Sequence, residues 1–391
     1  MGTSRLIGLD AARGLAVLGM FAVHVGPPPR PEGAGWLLVL ADGRAPAVFT
    51  LIAGLSLSLA RAGSGAAPPL RATLIRCAVL GALGLALAAL SPGILVILAF
   101  YAVYFLAAEP LTRLRTRRLA LIAGASVVLG PVLSHLLGPH LGYRTGGRGT
   151  TPVPADLTSW HGVAGALREL LLGGAYPLLT YLPYVLVGMV LGRVFALGEP
   201  RAPLRLAGFG AAAVLLGHGL SWLALGPLGA RAEILRAIAA EHPWALTAAD
   251  PVAAVLASQY GAVPGTAPEW LLLAGPYSQT PLETLGNIGA GALLVAAATA
   301  AARSAPVARL LRPLAAVGAM ALSVYVAHAL VLALLTHGWS GWDVLLGFSA
   351  GALLGCVLWQ AACRRSDLRR GPLEWLLRRL TTAAGPRRAP A

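Results

Sequence analysis

Two groups of residues have the types and spacing to do chemistry. Asp10 and Arg13 stand one helical turn apart near the start of the chain, and an i,i+3 carboxylate–guanidinium pair is self-neutralising inside an apolar segment. The guanidinium alone would offer a cation to a phosphate. His24 and Asp42 form the second group. An imidazole with a reference pKa of about 6.5 suits a general base near neutral pH. A carboxylate bonded to one of its nitrogens would fix the tautomer and raise the basicity of the other. His328 is a competing base, far along the chain, that could face the same cleft. The eight histidines show no HxxxH or comparable ligand spacing, so no metal site is expected. Walker, GxSxG and HExxH patterns are also missing from the sequence.

The elements that must position these residues are membrane helices. The 391 residues are 57% hydrophobic and 12% charged, with a mean hydropathy of +0.74, too little polar surface to cover soluble domains. Apolar runs long enough to cross a bilayer recur along the chain without the alternation of barrel strands. The expected architecture is therefore all-α and polytopic, with about ten spans over 8–26, 44–61, 73–90, 92–108, 118–137, 176–193, 204–226, 283–302, 313–335 and 342–362. The net charge of +15 reads as topology rather than nucleic-acid binding. Twenty-two arginines fall in segments assigned to the inner side, and six fall outside. That asymmetry places both termini in the cytoplasm. The absence of lysine and the wealth of alanine and glycine point to a GC-rich bacterial genome, hence a multi-pass protein of the plasma membrane.

The chain divides into a bundle over 1–363, with a long outer segment at 227–283, and a basic amphipathic tail over 364–391. The outer segment should hold one short helix over 229–241. Segment 161–175 is too short to span and reads as interfacial or re-entrant. The tail helix over 371–383 is expected on the inner membrane face. Gly188 and Gly192, and separately Gly347, Gly351 and Gly355, are spaced for close helix approach. Cys77, Cys356 and Cys363 match no redox or metal motif and read as packing residues.

The stretch from Arg5 through Asp10-Ala-Ala-Arg13-Gly14 to Met20 resembles the opening of the transmembrane acyltransferases related to heparan-α-glucosaminide N-acetyltransferase. Trp36, Ala41-Asp42 and Phe49 to Gly54 resemble that family's second-helix region. Tyr176-Pro177, Gly188, Gly192-Arg193, Gly318 to Tyr325 and Gly371-Pro-Leu-Glu-Trp375 resemble YeiB-like bacterial membrane proteins. The resemblance implies acyl transfer from cytoplasmic acyl-CoA to an amine or hydroxyl, on a small molecule or carbohydrate, at the outer face. Asp10, Arg13 and Gly14 match the family's motif, and Asp10, Arg13 and Arg193 are the candidate residues on the CoA side. The sugar-acetylating members carry Asn where this chain has His24, and a catalytic His shortly before the outer-loop Trp. Here that position is near Gly33, and residues 25–41 hold no histidine. His24, with Asp42 and His328, is then the candidate base. The expected partners are the lipid bilayer, acetyl-CoA or another acyl-CoA, and the acceptor, with self-association left open. A small-molecule transporter using the same polar core is the alternative, and a non-catalytic scaffold a third.

Overall fold

The computed structural model describes residues 3–28, 33–64, 70–141, 150–195, 199–258, 261–264, 267–335 and 340–383. Arg30, Arg144, Arg148, His337, Arg387 and Arg388, which entered the sequence reading, lie outside these residues. Every regular element among the described residues is helical. In chain order they are α1 (Thr3–Val25), α2 (Trp36–Ala41), α3 (Ala45–Ser64), α4 (Leu70–Ala89), α5 (Leu98–Leu111), α6 (Thr116–Leu137), α7 (Trp160–Arg168) and α8 (Leu178–Val194). There follow α9 (Ala202–Leu225), α10 (Ala230–Glu241), α11 (Pro251–Ala257), α12 (Pro281–Ala301), α13 (Ala305–Leu310), α14 (Arg312–Ala319), α15 (Ala321–Leu334), α16 (Trp342–Ala362) and α17 (Pro372–Ala383).

Six of these, α1, α4, α6, α9, α12 and α16, are long and apolar enough to cross a membrane. Two bent pairs raise the number to eight if each is one span. Residues 160–173 meet α8 at 52°, and α14 meets α15 at 80°. The remaining two expected spans are shorter apolar helices, α5 and the apolar part of α3. Among the described residues, six to eight helices are thus long and apolar enough to span, consistent with a multi-pass protein. The expected span at 92–108 starts only at Leu98, because Ser91 and Gly93 take left-handed backbone conformations around Pro92. Proline removes a donor and restricts its neighbour, so a helix cannot run through this point. Among its described residues, segment 227–283 holds two α-helices before α12 where the sequence suggested one. α10 and α11 close a small core of their own around Ile234, Ile238, Val255 and Trp270, with Asp250 capping α11 through the Val252 and Ala253 amides.

The main core draws on both halves of the chain. α1 packs against α14, α3 against α8, and α12 against α9 and α1. Small residues permit this, as expected for Gly188. A Cβ there would stand 2.1 Å from the Leu51 carbonyl oxygen of α3. The stripe on α16 behaves differently. Nothing lies within 4 Å of a Cβ at Gly347, Gly351 or Gly355, so this face packs against no helix and lines an open groove instead.

Candidate functional site

The polar chemistry is organised on α1, α14 and α15. Arg13 Nη1 donates to Asp10 Oδ1 at 2.7 Å and to the Gly318 carbonyl at 3.1 Å. Arg13 Nη2 donates to Ser56 Oγ at 2.7 Å. The expected Asp10–Arg13 pair is therefore present, and the same guanidinium ties α1 to α3 and α14. Above it lies a chamber of about 360 Å³. Arg76 and Glu374 also line it, and Met20, Ile97, Tyr101 and Tyr325 line it further along α1, α5 and α15. Arg76 was not singled out from the sequence, although a charged residue in the apolar run 70–89 is itself a signal. Its buried Nε makes no hydrogen bond. Tyr325 Oη accepts from the Ile97 amide at 3.2 Å, which satisfies one of the backbone donors freed where α5 fails to begin. Tyr101 shares a hydrogen bond of 2.8 Å with Thr50.

The chamber is lined in part by α17. Glu374 accepts from the Leu322 amide at 2.8 Å, the Ser323 amide at 3.1 Å and Ser323 Oγ at 2.5 Å. Those amides open α15 just past the break at Met320, where a helix start leaves orphan donors and a partial positive charge. The tail helix is therefore docked by a specific carboxylate contact, beyond the surface position expected for it, and Leu377 joins Glu374 in the chamber wall.

One turn beyond the chamber stand the two histidines. His24 follows Met20 by four residues on α1, and His328 follows Tyr325 by three on α15, so each lies one turn along from a residue that lines the chamber. His24 Nδ1 and His328 Nε2 are 3.1 Å apart, in hydrogen-bond contact. One ring donates and the other accepts. His328 is only 3% exposed. It stacks on Phe21 at 4.2 Å between ring centroids and meets Phe348 edge-on at 4.9 Å, and its Nδ1 has no partner.

Asp42 does not join this pair as the sequence reading expected. Tyr277 Oη donates to Asp42 Oδ1 at 2.7 Å, and His24 has His328 in the place foreseen for the carboxylate. Burial holds the Asp42 carboxyl above the ordinary carboxylate range, partly offset by the Tyr277 hydroxyl. Tyr277 belongs to a loop wrapped around the buried Glu283. That carboxylate accepts from the Tyr277 amide at 3.0 Å, the Gln279 amide at 2.5 Å, Ser278 Oγ at 3.1 Å and Asn287 Nδ2 at 3.3 Å. Tyr277 and Gln279 are both held at positive φ, a strain the carboxylate contacts offset. Glu283 and Asn287, at i and i+4 on α12, were the available sequence signal.

Arg193 donates to the Leu114 and Thr112 carbonyls, each at 2.6 Å, fastening α8 to the end of α5. It is not among the residues lining the chamber. The three cysteines are free thiols.

Long apolar helices, two bent pairs and apolar outer faces define a multi-pass helical membrane protein, with Arg13, Arg76 and Glu374 lining an otherwise apolar chamber. A family model described as the heparan-alpha-glucosaminide N-acetyltransferase catalytic region matches residues 5–222. A second, described as a protein of unknown function (DUF418), matches residues 230–384. The first match covers more than half the chain, which belongs to the heparan-alpha-glucosaminide N-acetyltransferase catalytic family and is related to the YeiB-like proteins as well. No curated protein and no solved structure matches it.

Proposed function

We propose that the protein transfers an acyl group, acetyl in the simplest case, from cytoplasmic acyl-CoA to an amine or hydroxyl acceptor on the outer side of the plasma membrane. The observation that carries this reading is the placement of the His24–His328 pair one turn beyond a chamber whose lining includes Arg13 and Arg76. Eleven residues separate Arg13 from His24, a rise of about 16 Å along a helix, comparable with an extended pantetheine arm. The CoA phosphates belong at the arginine end. Arg76 is the better-placed cation, because Arg13 already has three partners. This orientation takes the arginine end as cytoplasmic, in keeping with the positive-inside distribution.

In the chemical step the acceptor nitrogen or oxygen attacks the thioester carbonyl carbon. A C–N or C–O bond forms, the C–S bond breaks, the acceptor's proton passes to the imidazole pair, and the CoA thiolate leaves and is reprotonated. Tyr325 Oη accepts from Ile97 and keeps its own proton, which can be donated to the developing oxyanion. Asp42, held by Tyr277, orients the outer loop rather than the base.

The test is direct. Purified protein should be stabilised against heat by acetyl-CoA and should transfer labelled acetyl to an amine acceptor. Neither stabilisation nor transfer across a panel of amines and alcohols would overturn the reading.

A further inference from the structure

A second cavity, of about 710 Å³, lies on the other side of α15. It is a groove between α15 and α16. The glycine stripe forms its floor, and Val324, Val331 and Phe348 contribute to its walls. The α16 stretch from Asp343 to Trp359 that borders it extends about 24 Å at helical rise. His328 lies in its wall and Ser323 near its break end. His328 therefore stands in the wall of this second cavity, one turn along α15 from the Tyr325 that lines the chamber. The chamber offers guanidinium groups. The groove offers hydrocarbon, and its charged lining residue is the carboxylate of Asp343.

We propose that this groove binds the acceptor, and that the acceptor is a single-chain amphiphile with a primary amine head. The inference rests on the acyl-transfer reading and names its acceptor class. Three observations support it. The stripe accepts no helix: each glycine faces open space, which leaves a slot along an otherwise bulky surface. His328 lines that slot, is almost wholly buried, and its Nδ1 lacks a partner, a costly state unless something polar arrives there. Asp343 and the imidazole together suit an ammonium head that must lose a proton before it attacks. The chain lies along Gly347, Gly351 and Gly355, and the head reaches His328. The amine nitrogen then forms the C–N bond while the C–S bond of the donor breaks.

The test uses the full chain in phosphatidylcholine nanodiscs with a 1-aminohexadecane bearing a mid-chain diazirine. After irradiation, labelled peptides should come from α15 and α16, several-fold above those from the exposed face of α9. Gly351→Trp should abolish that excess while the thermal shift with acetyl-CoA stays unchanged, which shows the variant is folded. Gly347→Leu serves as a second block. Even labelling of all lipid-facing helices, unchanged by either variant, would overturn the proposal. So would oxidative cross-linking of two copies through Gly351→Cys, since a second copy would then cover the groove. Acetylation of the probe amine, lost in Gly351→Trp, supports both proposals. Groove labelling without acetylation supports the binding site and counts against the transfer chemistry alone.

Discussion

Gly14 and Gly318 meet backbone to backbone where α1 crosses α14. A Cβ on Gly14 would stand 2.1 Å from the Leu314 carbonyl oxygen, and one on Gly318 would stand 1.8 Å from that of Asp10. The contact brings Arg13 within reach of the Gly318 carbonyl, so the inner wall of the chamber depends on it. It also joins the two segments that separate family models match.

Neither glycine should tolerate a methyl group. Gly318→Ala and Gly14→Ala should each destabilise the protein by about 3 kcal/mol, the upper end for overpacking, because the obstruction is backbone and cannot rotate away. Gly351→Ala, facing open space, should be neutral or stabilising by up to about 1 kcal/mol. Thermal unfolding of the three variants in one detergent decides the matter, and equal losses would refute the distinction.

Arg13→Ala should leave Asp10 as an unpaired carboxylate and cost about 3–5 kcal/mol. The double change Asp10→Asn with Arg13→Gln should recover most of that stability. If Arg76 is the principal phosphate contact, the double variant keeps acetyl-CoA binding, whereas Arg76→Gln weakens it at least tenfold with little effect on folding. Isothermal titration with acetyl-CoA separates these outcomes.

Tyr325→Phe should lower kcat by roughly 10²–10³, the loss expected for one oxyanion donor, with donor affinity unchanged. His328→Ala and His24→Ala should each cost about 10²–10⁴ in turnover. Because the two rings act as a pair, the double variant should lose little more than either single one. Additive losses in single-turnover assays would show that the rings work independently.

Glu374→Ala should free the tail helix. Three donors at the start of α15 lose their acceptor, a cost of about 1–3 kcal/mol, and limited proteolysis should then cut near residue 371 far faster than in the parent protein. Glu374→Gln retains an acceptor oxygen and should show a smaller effect. Equal cleavage of all three proteins would mean that the tail is held by other contacts.

The sequence conveyed the fold class and most of the helix positions, since hydropathy records what the bilayer demands of each segment. It also exposed Asp10–Arg13, because partners three residues apart are local. Contacts made by distant parts of the chain were not legible. His24 and His328 could each be singled out by residue type, but their pairing across 304 positions follows from how α1 crosses α15. Asp42 was matched to the nearest suitable histidine, whereas its partner, Tyr277, comes from a loop 235 residues away. The α16 glycines illustrate a different limit: small residues permit an approach without saying whether a helix or a lipid makes it. Glu374 stood inside a motif noticed only for its resemblance, and its role depends on a helix break that hydropathy does not register.

The hydrogen bond between His24 and His328 has one more consequence. When His328 Nδ1 gains a proton, the proton on its Nε2 can move to His24 Nδ1, and His24 can release one from its Nε2. The two rings exchange tautomers and act as a proton wire. Uptake and discharge then occur on different rings, one on α15 and the other on α1. The groove can stay anhydrous throughout the cycle, and water, the rival nucleophile for any activated acyl group, is kept from the place where the bond is made.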